Sequence, residues 1–94
     1  MSYTIRDATK ECFQRYSSFA LDTASKELIN EAIKNSQTLP IDKLSRWLGY
    51  IQGVLIERKL TTIQEERDFS RPLFHKAYEN EGIEIPKSIN VNKG

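Results

Sequence analysis

The segment from Pro40 to Arg58 constrains the fold most tightly, because its apolar residues recur at spacings of three and four positions. At about 100° per residue, this spacing predicts a helix with one continuous apolar side. Pro40 fits the first turn of that helix, where its missing N–H costs nothing. The residues predicted to face the core are Leu44, Trp47, Leu48, Ile51, Val54 and Leu55. Other helices must cover this side.

The same predicted helix carries a second face of small and polar residues, which includes Gly49 and Gly53. Each glycine inside a helix costs about 1 kcal/mol relative to alanine, so we expect a close contact to offset them. The contact is expected from another helix of the same chain, which we favour, or from a second subunit. Tyr50 is predicted to lie on a more exposed side with Arg46 and Glu57, and Tyr and Arg are typical anchors of interfaces.

Amphipathic segments before and after the central one predict three more helices. Their capping residues are Thr4 with Asp7 for the first helix, Asp22 or Thr23 for the second, and Thr62 with Glu65 for the fourth. Pro72 lies inside the fourth segment and predicts a kink or two short helices. Gly82 fits the end of that helix.

The sequence therefore predicts an all-α protein, a compact bundle of four helices whose fourth helix is kinked or split at Pro72. Residues 1–86 are expected to form a single helical domain, with Ile83 to Pro86 extended against the core. A short irregular tail over 87–94 is expected to be flexible.

Several residues are assigned to a surface or to the core by their spacing alone. On the first helix, Glu11 and Arg15 are predicted to form a surface ion pair, and the lone Cys12 to be a buried thiol. On the fourth helix, the residues predicted to face the core are Ile63, Ser70, Leu73, Phe74 and Ala77.

Composition narrows the classes of function. Lys and Arg number 14 against 13 Asp and Glu, giving a net charge of +1, so no overall field attracts nucleic acid or anionic lipid. One cysteine and one histidine leave little for a disulfide, a multi-histidine metal site or histidine-based catalysis. We therefore expect a cytoplasmic, non-enzymatic protein with no cofactor, no metal, no catalytic residue and no membrane association.

The fourth helix offers one candidate binding cluster, formed by Arg67, Arg71 and His75. One interpretation is an anion or phosphate site, with Arg71 as the hydrogen-bonding fork. The other, which we favour, is a solvated face on which Asp68 pairs with Arg71. A helix-turn-helix is disfavoured, because acidic residues occupy the start of the helix that would have to approach DNA phosphates.

The run Arg46-Trp47-Leu48-Gly49-Tyr50-Ile51-Gln52-Gly53-Val54-Leu55, followed by Arg71-Pro72-Leu73-Phe74, resembles small uncharacterised helical proteins of tailed bacteriophages. The resemblance covers about the second half of the chain, and Lys59 stands where it would place a glycine. It implies a protein acting in the bacterial host cytoplasm that binds and redirects a host protein or blunts a defence system. It transfers no catalytic residue.

The function expected from these observations is interaction with a host or phage protein, in host takeover or in an anti-defence role. A homo-oligomer is expected as well, and a nucleic-acid or nucleotide-binding module using Arg67, Arg71 and His75 is the alternative. The predicted interaction residues are Arg46, Gly49, Tyr50, Gly53, Glu57, Arg67, Arg71 and His75.

Overall fold

The computed structural model describes residues 3–82. Over this range the chain forms four helices, α1 (Ile5–Tyr16), α2 (Thr23–Lys34), α3 (Ile41–Glu57) and α4 (Ile63–Asn80). The prediction of an all-α bundle of four helices is confirmed. The expected extended segment from Ile83 to Pro86 and the expected flexible tail over 87–94 lie outside the described residues.

Local capping fixes where three of the helices begin. Thr4 and Thr62 each form a capping box, with Asp7 and Glu65 as the respective reciprocal partners. Asp22 accepts a hydrogen bond from the Ser25 backbone N–H at 3.1 Å. These contacts satisfy N–H groups that the helix itself leaves unpaired, so the predicted starts are confirmed.

Helix α1 lies at the centre of the packing, because it contacts each of the other three helices. Its buried side chains Ala8, Thr9 and Cys12 are small and let neighbouring helices approach, while Phe13 and Tyr16 fill the core. The sequence had indicated α3 as the helix packed on two sides. Within residues 3–82, α3 packs on α1 and α2 with one side only, so the second contact is not made inside the described part of the chain.

Helix α3 buries Leu44, Ile51 and Leu55 fully, as predicted. Trp47 and Leu48 are half-buried against the same core. Apart from chain neighbours and the nearby backbone of α3 itself, no described atom lies within 4 Å of a Cβ built on Gly49 or Gly53. The intramolecular contact that we favoured for these glycines is therefore not formed within residues 3–82.

Helix α4 runs unbroken through Pro72, so the predicted split is not found. Pro72 removes the helical partner of the Asp68 carbonyl, and both Pro72 and Asp68 are exposed residues. Ile63 is 58% exposed and was wrongly placed on the buried face, whereas Glu66 is only 5% exposed. The buried face of α4 thus begins at a carboxylate.

The turn between α3 and α4 is closed by a left-handed residue. Lys59 has φ 61°, and the Leu60 N–H donates to the Leu55 carbonyl at 2.9 Å. The Lys59 N–H donates to the Ile56 carbonyl at 3.0 Å, which completes a Schellman motif. This motif favours glycine at the position of Lys59, because a Cβ crowds the backbone there.

Replacing Lys59 with glycine is expected to raise the free energy of unfolding by about 1 kcal/mol, because glycine adopts this φ without steric cost. For a domain of this length the gain corresponds to a rise in Tm of roughly 5 °C. Thermal unfolding followed by circular dichroism measures it. Lys59→Ala is the matched control, since it keeps the Cβ, and an equal Tm for the two variants would contradict the prediction.

Candidate interaction surface

The solvent side of α3 forms one continuous exposed strip, which we call the α3 outer face. It consists of Asp42, Ser45, Arg46, Gly49, Tyr50, Gly53 and Glu57, all of them exposed. Tyr50 is 59% exposed and stands beside the open backbone of Gly49 and Gly53. The structure thus brings together five residues that the sequence singled out. Their surface carries one large aromatic side chain and two glycine positions without a side chain.

Charges lie towards both ends of the α3 outer face. Arg46 pairs with Asp42 at 3.2 Å, one turn earlier, and both side chains are largely exposed. Such a pair contributes little to stability in water. Glu57 forms no ion pair with any residue between positions 3 and 82. The α3 outer face therefore carries a positive group near its start and an unpaired negative group at its end.

The other predicted residues, Arg67, Arg71 and His75, lie along one exposed side of α4, which we call the α4 basic stripe. They line a shallow surface depression of about 310 Å³ together with Asp68 and Pro72. The predicted pair between Asp68 and Arg71 is not formed. Asp68 instead accepts a hydrogen bond from Gln64 at 2.8 Å, so neither arginine of the stripe has an ion-pair partner among the described residues.

The turn between α3 and α4 carries an apolar groove that sequence reasoning missed. The groove has a volume of about 560 Å³, and its lining includes Ile56, Thr62 and Ile63. Leu60, in the same turn, is 37% exposed. Spacing placed Ile63 on the buried face of α4, and that error concealed the groove.

Beneath these surfaces lies a buried polar network that the sequence did not predict either. The Arg15 guanidinium pairs with the Glu66 carboxylate at 2.5 Å and lies 5.0 Å from the ring centre of Phe69. It also lies over the rings of Tyr16 and Phe19, at 5.8 and 5.5 Å. The predicted surface pair of Arg15 with Glu11 is therefore wrong.

Glu66 accepts hydrogen bonds from three side chains, two on α1 and one in the turn before α4. The donors are the guanidinium of Arg15, the hydroxyl of Tyr16 on the same helix, and the hydroxyl of Thr61 at 2.7 Å. Gln52 of α3 donates to the Tyr16 oxygen at 2.9 Å, which extends the network to a third helix. Among the described residues, no buried side-chain polar atom lacks a partner. The polar groups of this network thus form their hydrogen bonds with one another and stabilise the fold.

The network shifts the pKa values of its members. Burial by itself would raise the pKa of Glu66, but hydrogen bonds from Tyr16, Thr61 and Arg15 outweigh it and hold that pKa below the ordinary value. Burial, followed by the hydrogen bond to Glu66, raises the pKa of Tyr16. Burial also raises the pKa of the nearby Cys12 thiol to about 12, so this thiol stays protonated at neutral pH.

Comparison with protein-family models, with curated proteins and with solved structures gives no match. Within residues 3–82, no group of three or more His, Cys, Asp or Glu side chains is placed so that it could bind a metal ion. No helix in this range is long and apolar enough to cross a membrane. The fold and its surfaces define a small four-helix protein with a structural polar network inside and two exposed helix faces outside.

Replacing Arg15 with methionine is expected to lower the free energy of unfolding by about 2 kcal/mol, because the Glu66 carboxylate then stays buried without its charge partner. The double variant Arg15→Met/Glu66→Met removes both charges. Its loss is expected to be smaller than the sum of the two single losses by about 1 kcal/mol or more. Urea denaturation measures all four proteins, and strictly additive losses would contradict the coupling.

Stability is expected to fall as the pH drops below the ordinary Glu value of 4.5, because the unfolded chain then binds a proton at Glu66 before the folded chain does. The contribution is complete above that value and disappears as the pH passes down through the lower pKa of the folded state. Urea denaturation over a pH series measures the slope. Glu66→Gln should reduce the slope, of which the lowered pKa values of Asp7 and Asp22 keep a part, whereas Glu31→Gln, at an exposed position on α2, should leave it unchanged.

Proposed function

We propose that this chain is a small non-enzymatic interaction protein of the bacteriophage type, which binds a host or phage protein through its exposed helix faces. The observation that carries the proposal is the α3 outer face. There a largely exposed tyrosine stands among backbone that no described residue covers.

Energetics support a binding role for this face. The two glycines weaken α3 by about 1 kcal/mol each relative to alanine, and no contact among the described residues offsets that loss. Tyr50 offers a large, rigid contact area with a hydrogen-bonding tip, which is the kind of group that dominates protein interfaces. A protein that covers this face would contact both the glycine backbone and the Tyr50 side chain.

The resemblance of the central run to small proteins of tailed bacteriophages supplies the setting. It is carried by the same segment that forms the α3 outer face, from Arg46 to Leu55. We therefore place the proposed role in the bacterial host cytoplasm, as host takeover or protection against a defence system.

A second candidate function is the binding of nucleic acid or nucleotides by the α4 basic stripe. It is favoured by the unpaired Arg67 and Arg71 beside a depression of about 310 Å³. The neighbouring Asp68 and the net charge of +1 weaken it, since phosphate binding normally needs a larger basic surface.

Affinity capture from bacterial lysate tests the proposal and separates the two candidates. With the native chain, one protein is expected to be retained after nuclease treatment and at raised salt. Tyr50→Ala is expected to weaken this retention at least about tenfold, because it removes the aromatic anchor of the contact. Glu31→Ala on α2 is the matched control at an exposed position outside both faces.

Two results would contradict the proposal. The first is capture that disappears with nuclease or falls steeply with salt, particularly where Arg67→Glu/Arg71→Glu abolishes it, since that pattern belongs to phosphate binding. The second is retention of the protein partner that is equal for Tyr50→Ala and for the control, since the partner would then bind elsewhere.

A further inference from the structure

Two of the three charged residues of the α3 outer face, Arg46 and Glu57, are arranged symmetrically about its centre, whereas Asp42 has no counterpart. Arg46 and Glu57 lie eleven positions apart, about three helical turns, and therefore on the same side of α3. The midpoint of this pair in the sequence falls between Ile51 and Gln52. The pair formed by the exposed Tyr50 and the uncovered Gly53 has the same midpoint. Each pair consists of two complementary groups. Arg46 is positive and Glu57 negative, while Tyr50 has a bulky side chain and Gly53 has none.

Such an arrangement is complementary to itself when a second α3 runs in the opposite direction. Two antiparallel copies centred on this midpoint place Arg46 of each copy opposite Glu57 of the other, giving two ion pairs. The same register sets Tyr50 of each copy over Gly53 of the other, where no other helix of the described chain lies within 4 Å of the position that a Cβ would take. An interface with two-fold symmetry requires this kind of self-complementary surface.

The parallel arrangement of two copies is disfavoured by the same charges. It would place Arg46 beside Arg46 and Glu57 beside Glu57, and like charges in direct contact oppose association. It would also bring the two Tyr50 side chains together and leave the glycine backbone uncovered. The charge pattern thus favours the antiparallel orientation of two α3 helices over the parallel one.

We infer that the α3 outer face binds the same face of a second copy of this chain, with the two α3 helices antiparallel. The inference rests on the proposed function, in which this face binds protein, and it names the first protein bound there. A host or phage protein then competes with the second copy for this face, and the face is free for it at concentrations well below those at which the dimer forms. Because α3 has 17 residues and spans only about 25 Å, the dimer is expected to be weak and to form in the micromolar to millimolar range.

Sedimentation equilibrium of the purified full chain over that concentration range tests the inference. The mass is expected to rise from the monomer value of 10.9 kDa towards twice that value. Arg46→Glu alone and Glu57→Arg alone are each expected to weaken the dimer about tenfold, because each places two like-charge pairs across the interface. An equimolar mixture of the two variants should regain the native affinity, since mixed dimers contain two opposite-charge pairs.

The control pair consists of Lys26→Glu and Glu31→Lys, which reverse exposed charges on α2 and should leave the dimer unchanged. Recovery in the mixture also shows that the single variants are folded. Gly53→Leu gives a further check, because it favours the helix while filling the space expected to receive Tyr50, so it should abolish the dimer and keep the helical circular dichroism signal.

Three results would overturn the inference: a mass that stays at 10.9 kDa throughout, a native dimer that the charge reversals do not affect, or a mixture that fails to recover. These outcomes are separable from failure of the proposed function. A chain that stays monomeric but loses its captured partner on Tyr50→Ala keeps the proposed function and refutes the dimer. A chain that dimerises as described but captures no other protein keeps the dimer alone.

Discussion

The ion pair between Arg15 and Glu66 is the contact on which the arrangement of the helices depends. α3 and α4 share little direct packing, so their relative position is set by their contacts with α1 and by the turn that joins them. Glu66 receives hydrogen bonds from α1 and from Thr61 in that turn, while Gln52 of α3 reaches the same network through Tyr16. One buried carboxylate therefore links α1, α3, α4 and the turn between α3 and α4. Because a buried charge is costly unless its partners are in place, the same network disfavours other packings of the chain.

Local rules predicted what is local in this fold. The capping residues Thr4, Asp22 and Thr62 and the core stripe of α3 could be read from the sequence, because each depends on neighbours three or four positions away. Arg15 was assigned to Glu11 by the same rule, whereas its partner lies 51 positions away and no spacing identifies it. The one available signal was Glu66 itself, which stands three positions before Phe69 and so shares the buried side of α4. A helix-turn-helix was disfavoured on the view that the acidic residues at the start of α4 face outward, which Glu65 does and Glu66 does not.

The exposed faces follow from the shape of the molecule. Its smallest extent is 19 Å against 37 Å in the other two directions, which is about two helix diameters. In a body this thin a helix keeps one side free unless neighbours surround it, and within residues 3–82 α1 is the helix that packs closely on all three others. The sequence correctly identified three residues of the α3 outer face as exposed, namely Arg46, Tyr50 and Glu57. It failed for Gly49 and Gly53, because glycine has no side chain whose polarity distinguishes a covered surface from an open one.

The open glycines matter because the margin of stability is small. A domain of this length buries only about two-thirds of the surface that its unfolded chain exposes, and its stability is of the order of 5–15 kcal/mol. Gly49 and Gly53, at about 1 kcal/mol each, and the left-handed Lys59 take a sizeable share of that margin. All three lie in α3 or at its end, while the contacts that stabilise the fold centre on α1. The destabilising features are thus concentrated on the helix that keeps a free face within the described chain.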